Sequence, residues 1–256
     1  MKTLRRSLIL LTACGLLFAA CKRSGKVEAL EVDADSTHVA FPLPGDSTVY
    51  GLACDGCTDS VVVLLPRDCS DPITYDILDA MRHHRVIGHP KVGDKIAVIP
   101  NAEDSLKADM VINIDDLYGD WCYMVRPTLN IPEVDGKKVE LPDSVLRSIL
   151  VPREYGISLR RQWTAQVIGF VRPKATDEER PPVTYPRLKI YNRWMLWNGN
   201  LLLTKTRMTV DKDGNAQMTD EGIDTAQIML LRPDSLVLRQ GDTQQGYYRK
   251  KEKKEP

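Results

Sequence analysis

The sequence predicts an all-β protein of two consecutive modules, a small N-terminal β-barrel with one helix and a larger antiparallel β-barrel. Short runs of β-branched and aromatic residues recur along residues 46–250, and turn residues separate them. The dipeptide Asn198-Gly199 lies between two apolar runs, which is the strongest short-range signal for a β-hairpin. Helical periodicity is confined to two short stretches. Together these observations favour sheets over helices in both halves of the chain.

Residues 1–20 have the organisation of a secretory signal peptide. Lys2, Arg5 and Arg6 form a positively charged region, and residues 8–18 form an apolar run. This run is too short to cross a bilayer comfortably. We therefore expect export, and no other segment is predicted to form a transmembrane helix.

The signal peptide ends in a small-small-cysteine pattern at residues 19–21, which resembles the lipobox of bacterial lipoproteins. The resemblance implies that the Cys21 thiol receives a diacylglycerol group and that Cys21 becomes the mature N-terminus. Phe18 departs from the aliphatic residue usual at its position, and a competing lipobox ends at Cys14 after a shorter apolar run. Because each buried methylene contributes about 0.8 kcal/mol, several acyl chains would hold the mature protein firmly on a membrane that it does not span.

Residues 21–45 are polar and are predicted to tether the folded part to this anchor. No acidic cluster follows Cys21 of the kind that resembles a surface-export signal in Bacteroidetes. The expected location is therefore the outer membrane, with the protein facing the periplasm.

The charge balance excludes nucleic acid as an electrostatic partner. The full chain has 35 basic and 35 acidic residues. Without residues 1–20, 32 basic side chains face 35 acidic ones, a net charge of −3. Nucleic-acid binding requires a basic excess that this chain lacks. The tail at residues 251–256 is charged and short, and we expect it to fray.

Residues 46–114 are predicted to form the small N-terminal module. The runs STVYGLAC, CTDSVVVLLP, KIAVIP and ADMVINID have the composition of strands. Ile73, Ile77 and Met81 are four residues apart, which predicts a helix over residues 73–85. Several short strands with one helix suggest a small barrel, and the OB type is one such fold.

Residues 115–250 are predicted to form seven or eight antiparallel strands. The first strand opens at Gly119-x-Trp121, and a long excursion follows that contains a short helix over residues 142–150. The charged and proline-rich residues 172–187 are predicted to form an exposed loop. The remaining strands are joined by tight turns, of which Asn198-Gly199 is the clearest.

Three motifs in residues 115–250 resemble, in their order and spacing, a lipocalin-like lipoprotein domain of the type common in Bacteroidetes. The motifs are LYGDW, YNRWMLWNGNLLLT, and DTAQIMLLRPDSLVLRQ followed by YYRK. The resemblance implies that Trp121, two residues after Gly119, packs at the closed end of the barrel beneath an arginine of the last strand. Arg249 matches that arginine best and Arg239 is the second candidate. The implied role is structural, through burial and a cation–π contact.

The stretch Cys54-Asp55-Gly56-Cys57 leaves several interpretations open. A thioredoxin-like pair begins a helix, whereas this pair leads into a predicted strand. Asp-Gly between two apolar runs predicts a type I′ hairpin turn, which would set the cysteines opposite each other at about 5.5 Å between Cα atoms, within disulfide reach. A structural disulfide or a reduced turn pair is favoured, with metal ligation and redox catalysis as alternatives. Cys69 and Cys122 either pair or stay buried as small apolar side chains.

The remaining residues that commonly serve catalysis or metal binding are not arranged for either. His83 and His84 are consecutive, so they point in different directions on a helix, and no second Cys-x-x-Cys completes a zinc site. Residues 211–222 imitate a calcium loop but have alanine at its sixth position and glycine at its twelfth. Gly-x-Ser-x-Gly and glycine-rich phosphate loops are absent from the sequence. We expect no enzyme activity, cofactor or metal.

A closed sheet turns one face of every strand towards the interior. Alternation places Trp194 and Leu196 on one face of their strand and Tyr191 on the other. An eight-stranded barrel either fills itself with side chains or holds one small ligand. The candidate lining of such a pocket is Tyr123, Val125, Trp194 and Leu196.

The leading hypothesis is a non-catalytic envelope lipoprotein that binds a small apolar ligand inside this barrel. The first alternative is a structural or assembly partner of an outer-membrane protein complex, with a filled barrel. The second is an oxidoreductase that uses Cys54 and Cys57.

Overall fold

A computed structural model describes residues 43–130, 133–134, 137–138, 141–169, 183–210 and 216–251. All of them belong to one compact unit. Cys21, the calcium-like residues 211–215 and most of the predicted loop 172–187 lie outside the described residues. Within the described ranges, we find no helix long and apolar enough to cross a membrane.

The N-terminal module is one six-stranded sheet with two short helices. Along the chain, one helix lies between the third and fourth strands and the other follows the sixth strand. The sheet order is β3-β2-β1-β5-β6-β4, with antiparallel pairs except β4 and β6. A parallel bridge between Asp76 and Lys107 brings the β3 edge against the start of β6. An OB barrel has five strands in a Greek-key order, whereas this sheet has six. The elements are β1 Val49–Ala53, β2 Val61–Pro66, β3 Ile73–Asp76, α1 Leu78–Arg82, β4 Val86–Ile87, β5 Lys95–Pro100, β6 Ala108–Asn113 and α2 Ile114–Leu117.

The helix predicted over residues 73–85 is wrong in its first half. Ile73–Asp76 is a strand paired with β2, and the helix itself is limited to Leu78–Arg82. The strand residues Ile73, Thr74 and Tyr75 are β-branched or aromatic, types that favour strands. Burial of Tyr75 in the sheet core stabilises this extended conformation. Tertiary packing therefore overrides the four-residue spacing.

The second module is a nearly closed antiparallel barrel of eight strands. The sheet order is β12-β11-β7-β18-β17-β16-β15-β14. A bridge between Thr164 and Arg193, with a 2.9 Å bond from the Trp194 N–H to the Trp163 carbonyl, brings the two edges together. The barrel strands are β7 Gly119–Val125, β11 Arg153–Leu159, β12 Ala165–Ile168, β14 Ile190–Trp197, β15 Asn200–Val210, β16 Ala216–Leu231, β17 Ser235–Gln240 and β18 Thr243–Arg249.

Barrel strands that are neighbours in the sheet are consecutive along the chain, except where β18 returns to β7. This is the up-and-down order of a lipocalin-like barrel, so the predicted all-β fold class is confirmed. Smaller elements lie in the excursions between barrel strands; β8 pairs with β13 and β9 with β10. They are β8 Thr128–Leu129, β9 Glu133–Val134, β10 Lys137–Lys138, α3 Asp143–Ile149 and β13 Val183–Thr184.

The hairpin between β14 and β15 has the turn that its sequence predicts. Asn198 has a φ of 44° and Gly199 a φ of 78°, the two positive values that a type I′ turn requires. Trp197 and Asn200 face each other directly before and after the turn. The hairpin prediction is confirmed.

The N-terminal module packs against one end of the barrel, which we call the closed end and define by Trp121 and the Asn198-Gly199 turn. The Asn198 side chain accepts a 2.8 Å hydrogen bond from the Ser47 N–H, and the Tyr50 hydroxyl donates to the Leu196 carbonyl at 3.1 Å. Residues of both modules belong to one hydrophobic cluster. The chain passes from the N-terminal module into the barrel where α2 is followed by β7. The opposite end, where β7 finishes and β14 begins, is the open end.

Candidate functional site

The interior of the barrel is divided between a filled half and a half lined by tyrosines. The filled half lies towards the closed end, and its apolar side chains are almost entirely removed from solvent. They include Trp121, Trp194, Leu196, Leu201, Leu203 and Leu236. Two residues of the predicted pocket lining, Trp194 and Leu196, therefore belong to the packed core.

Tyr123, another residue of the predicted pocket lining, lies at the centre of an aromatic group in the open half. Its ring is nearly perpendicular to the rings of Tyr155 and Tyr247, at centroid distances of 6.3 and 5.3 Å. Strand pairing explains the group, because Tyr155 lies directly opposite Tyr123 and Tyr247 is on the strand that pairs with β7 on its other side. Val125, the fourth predicted residue, is buried two positions further along β7.

The hydroxyl groups of Tyr123, Tyr155 and Tyr247 have no hydrogen-bond partner among the described residues. Burial, followed by the proximity of Tyr123, raises the pKa of Tyr247 to about 12. Burial also raises the pKa of Tyr123. The Tyr123 and Tyr247 hydroxyls are therefore neutral hydrogen-bond donors over the physiological pH range.

A polar cluster forms the rim of the open half. The Tyr191 hydroxyl donates to Asp224 Oδ2 at 2.8 Å, and Lys189 Nζ lies 2.8 Å from the same oxygen and 3.3 Å from Gln240 Oε1. Burial acts to raise the pKa of Asp224, but the hydrogen bonds from Lys189 and Tyr191 outweigh it, and the pKa lies below its usual value. Burial and the bond to this carboxylate raise the pKa of Tyr191. The rim thus combines an ionised Asp224 with a neutral phenol.

The sequence-based assignment of Tyr191 to the opposite face from Trp194 is wrong. A β-bulge between Tyr191 and Arg193 inserts Asn192 as an extra residue into β14. Trp194 then faces Leu203 while Tyr191 faces Lys205, two residues further along β15, so both aromatic rings lie on the same face. A bulge depends on the partner strand, and strict alternation in one strand does not reveal it.

At the closed end, Trp121 and Arg249 occupy the positions that the lipocalin-like resemblance implies. Trp121 is fully buried, and its indole N–H donates to the Leu117 carbonyl at 2.8 Å. The Arg249 guanidinium lies 4.2 Å from the centre of the Trp121 ring. Arg239, the second candidate, is exposed and bonds to Gln227 instead.

Gly119 makes the approach of this arginine possible. Its φ is 140°, and a Cβ atom built on it would lie 2.5 Å from Arg249 Nη1. Any larger residue would therefore combine an unfavourable backbone conformation with a collision. The glycine of the Gly-x-Trp motif is explained by this contact.

The Cys54–Cys57 stretch forms a turn, but not the type I′ hairpin that its sequence suggests. Gly56 has a φ of 94°, whereas Asp55 does not have the positive φ that a type I′ turn also needs. The pair of β1 and β2 residues nearest the turn is Ala53 and Leu64, and the backbone N–H of Cys54 bonds to the Val63 carbonyl at 2.8 Å. Cys54 is thus opposite Val63 rather than Cys57.

The cysteines are free thiols in this structure, and Cys57 Sγ accepts a 3.4 Å hydrogen bond from the Val63 N–H. No helix begins at the pair, and no group of acidic, histidine or cysteine side chains in the described ranges is suited to a metal ion. Cys69 is exposed beyond β2, whereas Cys122 is buried in the barrel sheet, where burial first and Glu154 second raise its pKa to about 11. The disulfide between Cys54 and Cys57 stays a prediction.

Comparisons with known proteins add little to this geometry. No family model and no curated protein matches the chain. The crystal structure of a lipocalin-like protein from Bacteroides thetaiotaomicron aligns with 53% of this chain and 97% of its own length, at 19% sequence identity and a TM-score of 0.29. That score is too low to bear on the fold or the function, and the fold assignment rests on the strand order described above.

Proposed function

We propose that this chain is a non-catalytic envelope lipoprotein that binds a small, largely apolar ligand in the open half of its barrel. The observation that carries the proposal is the aromatic group of Tyr123, Tyr155 and Tyr247, whose hydroxyls are unpaired within the described ranges. Tyrosine rings supply apolar surface and their hydroxyls supply a few oriented hydrogen bonds. That combination is typical of small-molecule sites.

The rim suggests which ligands fit this site. Lys189 is bound to Asp224 and Gln240, yet its side chain is still 56% exposed. An apolar ligand with one acidic or hydroxyl group would place its body against the tyrosine rings and its polar end near this ammonium group. Fatty acids and bile acids have that form, and hydrophobic dyes serve as probes of the aromatic surface.

Substitution of Tyr247 by leucine is expected to weaken binding of the best ligand from such a panel about tenfold, which corresponds to about 1.4 kcal/mol. The substitution removes one ring of the aromatic group and its hydroxyl. Binding is measured by the quenching of tryptophan fluorescence, since Trp163 and Trp194 share a cluster with Tyr247.

The matched control is Tyr248→Leu. Tyr248 is the next residue on the same strand, but its exposed side chain points outwards and bonds to Glu154 at 2.7 Å. Its substitution should leave the affinity unchanged. A flat response of the wild-type protein to every ligand, or equal losses in both variants, would remove the ligand-binding proposal.

The lipid anchor is tested separately, through the two competing lipobox cysteines. We expect Cys21→Ser to abolish acylation and to release the protein from the membrane fraction, while Cys14→Ser leaves both unchanged. The readouts are the intact mass of the mature protein and its distribution after fractionation. Loss of acylation in the Cys14 variant, with retention in the Cys21 variant, would move the anchor to the other site.

One observation favours the alternative role as an assembly partner in an outer-membrane complex. The buried apolar side chains of the barrel pack into one core cluster, and Tyr191 and Tyr247 pack against that cluster. If the ligand panel gives no response, crosslinking in intact membranes followed by pull-down should recover a defined envelope protein. A ligand carrier should be recovered alone.

A further inference from the structure

A concave site lies at the closed end, apart from the tyrosine-lined half of the barrel. It is a depression of about 460 Å³ that is open to solvent on one side. Tyr118 and Gly119 form part of its wall. The charged residues around it are Asp120, Arg160, Arg249, Lys250 and Lys251.

The cationic side chains of this depression outnumber the acidic groups that pair with them. Arg160 lies 3.1 Å from Asp120, and Lys250 forms an ion pair with Glu154. Lys251 is exposed and has no ion pair within the described ranges. Of the four cations, Arg160 and Lys250 thus have a carboxylate partner, whereas Lys251 and Arg249 have none within the described ranges.

Arg249 is the second unmatched cation, because its hydrogen bonds go to carbonyl groups. Nε donates to the Pro233 carbonyl at 2.6 Å, Nη2 to the Asp116 carbonyl at 2.6 Å, and Nη1 to the Tyr118 carbonyl. The Asp116 carboxylate itself accepts a 2.9 Å bond from the His89 N–H. Burial lowers the pKa of Arg249, with the Asp116 charge acting in the opposite direction. The guanidinium charge is held rigidly and is only partly balanced.

A guanidinium has five N–H donors, and these three bonds leave two of them unused. One unused donor is on Nη1, the atom that lies 2.5 Å from the position of a Cβ on Gly119. The absence of a side chain at Gly119 therefore leaves this edge of the guanidinium accessible from the depression. A fixed guanidinium with an accessible N–H group beside further cations suits a tetrahedral oxyanion.

We propose that this depression binds a phosphoryl group, held by Arg249 with Arg160 and Lys251 at the rim. Two sources supply that chemistry: a free phosphate or small phosphate ester, and the headgroup of an anionic phospholipid. The proposal is independent of ligand binding in the tyrosine-lined half.

The experiment is isothermal titration calorimetry on the full-length protein in a neutral detergent. The titrants are inorganic phosphate, dihexanoyl phosphatidylglycerol and, as a headgroup without net charge, dihexanoyl phosphatidylcholine. The double variant Arg160→Gln/Lys251→Gln removes the two rim cations, which lie on the surface, and leaves Arg249 and its structural contacts in place. Its matched control is Arg207→Gln, since Arg207 is an exposed cation of the distant β15–β16 hairpin that pairs with Glu221.

We expect saturable binding of phosphate, phosphatidylglycerol or both, a loss of affinity of about tenfold in the double variant, and no change in the control. A tenfold loss corresponds to about 1.4 kcal/mol. Binding of phosphate alone identifies a free anion as the ligand, and binding of phosphatidylglycerol alone identifies the lipid headgroup. Absence of binding to both, binding that the double variant retains in full, or equal binding of phosphatidylcholine would overturn the proposal. Unchanged thermal unfolding of the double variant shows that any loss is local.

Discussion

Replacing Trp121 with alanine is expected to lower the free energy of unfolding by about 3–5 kcal/mol, the usual range for a fully buried tryptophan. The side chain is entirely buried between α2 and the barrel core. Its removal leaves a cavity, leaves the Leu117 carbonyl without its donor and takes away the surface on which Arg249 lies. Urea denaturation followed by circular dichroism measures the loss.

The control for this substitution is Trp197→Ala. Trp197 is a half-buried tryptophan beside the β14–β15 turn, and its indole N–H bonds to the Pro44 carbonyl at 3.3 Å. We expect a smaller loss there, because less apolar area returns to solvent. A Trp121→Ala protein as stable as the Trp197→Ala protein would contradict the tight packing of the closed end around Trp121.

Replacing Gly156 with alanine is expected to cost about 3 kcal/mol or to prevent folding, at the upper end of the range for overpacked interiors. Gly156 lies opposite Cys122 where β11 pairs with β7. An added Cβ would lie 2.3 Å from the Trp121 carbonyl oxygen and 3.0 Å from the Cys122 Cα. Because these are backbone atoms, they can yield only if the two strands separate.

Gly246→Ala is the matched control, since Gly246 also lies within a barrel strand but has no atom within 4 Å of an added Cβ. The substitution should change the stability by no more than about 0.5 kcal/mol. Thermal and urea unfolding of both variants are compared with the wild type. Equal stabilities for the two alanine variants would show that β7 and β11 are not in the register described.

Local features of the fold were predictable because their causes lie within a few residues. The Asn198-Gly199 turn needs two residues that tolerate positive φ, and the sequence contains them between two apolar runs. Gly119 and Trp121 mark the first barrel strand, whereas the covering of Trp121 by Arg249, with Arg239 as the second candidate, was implied by the resemblance to lipocalin-like domains. The number of barrel strands followed from the spacing of turns.

Features that depend on strand partners were not predictable. The helix over residues 73–85 was overestimated because pairing with β2 draws its first part into the sheet. The bulge at Asn192 reverses the facing of Tyr191. The turn at Cys54 does not set the two cysteines opposite each other, because Ala53 pairs with Leu64 and Cys54 therefore lies opposite Val63. In each case the deciding contact is with a different strand, and the sequence of one strand does not contain it.

The candidate sites show the same division. Tyr123 and Val125 were candidates for the pocket lining from the sequence, but Tyr155 and Tyr247 join Tyr123 only through the register with β11 and β18. The cationic depression combines Arg160 with Arg249, which are 89 positions apart in the chain. Charged residues scattered along a neutral sequence give no local signal of such a site.

By itself, the amino-acid sequence predicted the all-β class and the antiparallel barrel of the second module, because turn chemistry and hydrophobic alternation act between near neighbours. The packing of Trp121 beneath an arginine was implied by the resemblance to lipocalin-like domains. Only the tertiary structure decided how the interior is divided between a packed half and a tyrosine-lined half, and where unmatched cations meet. Those properties arise from register and barrel closure, which bring distant side chains together after the local elements have formed.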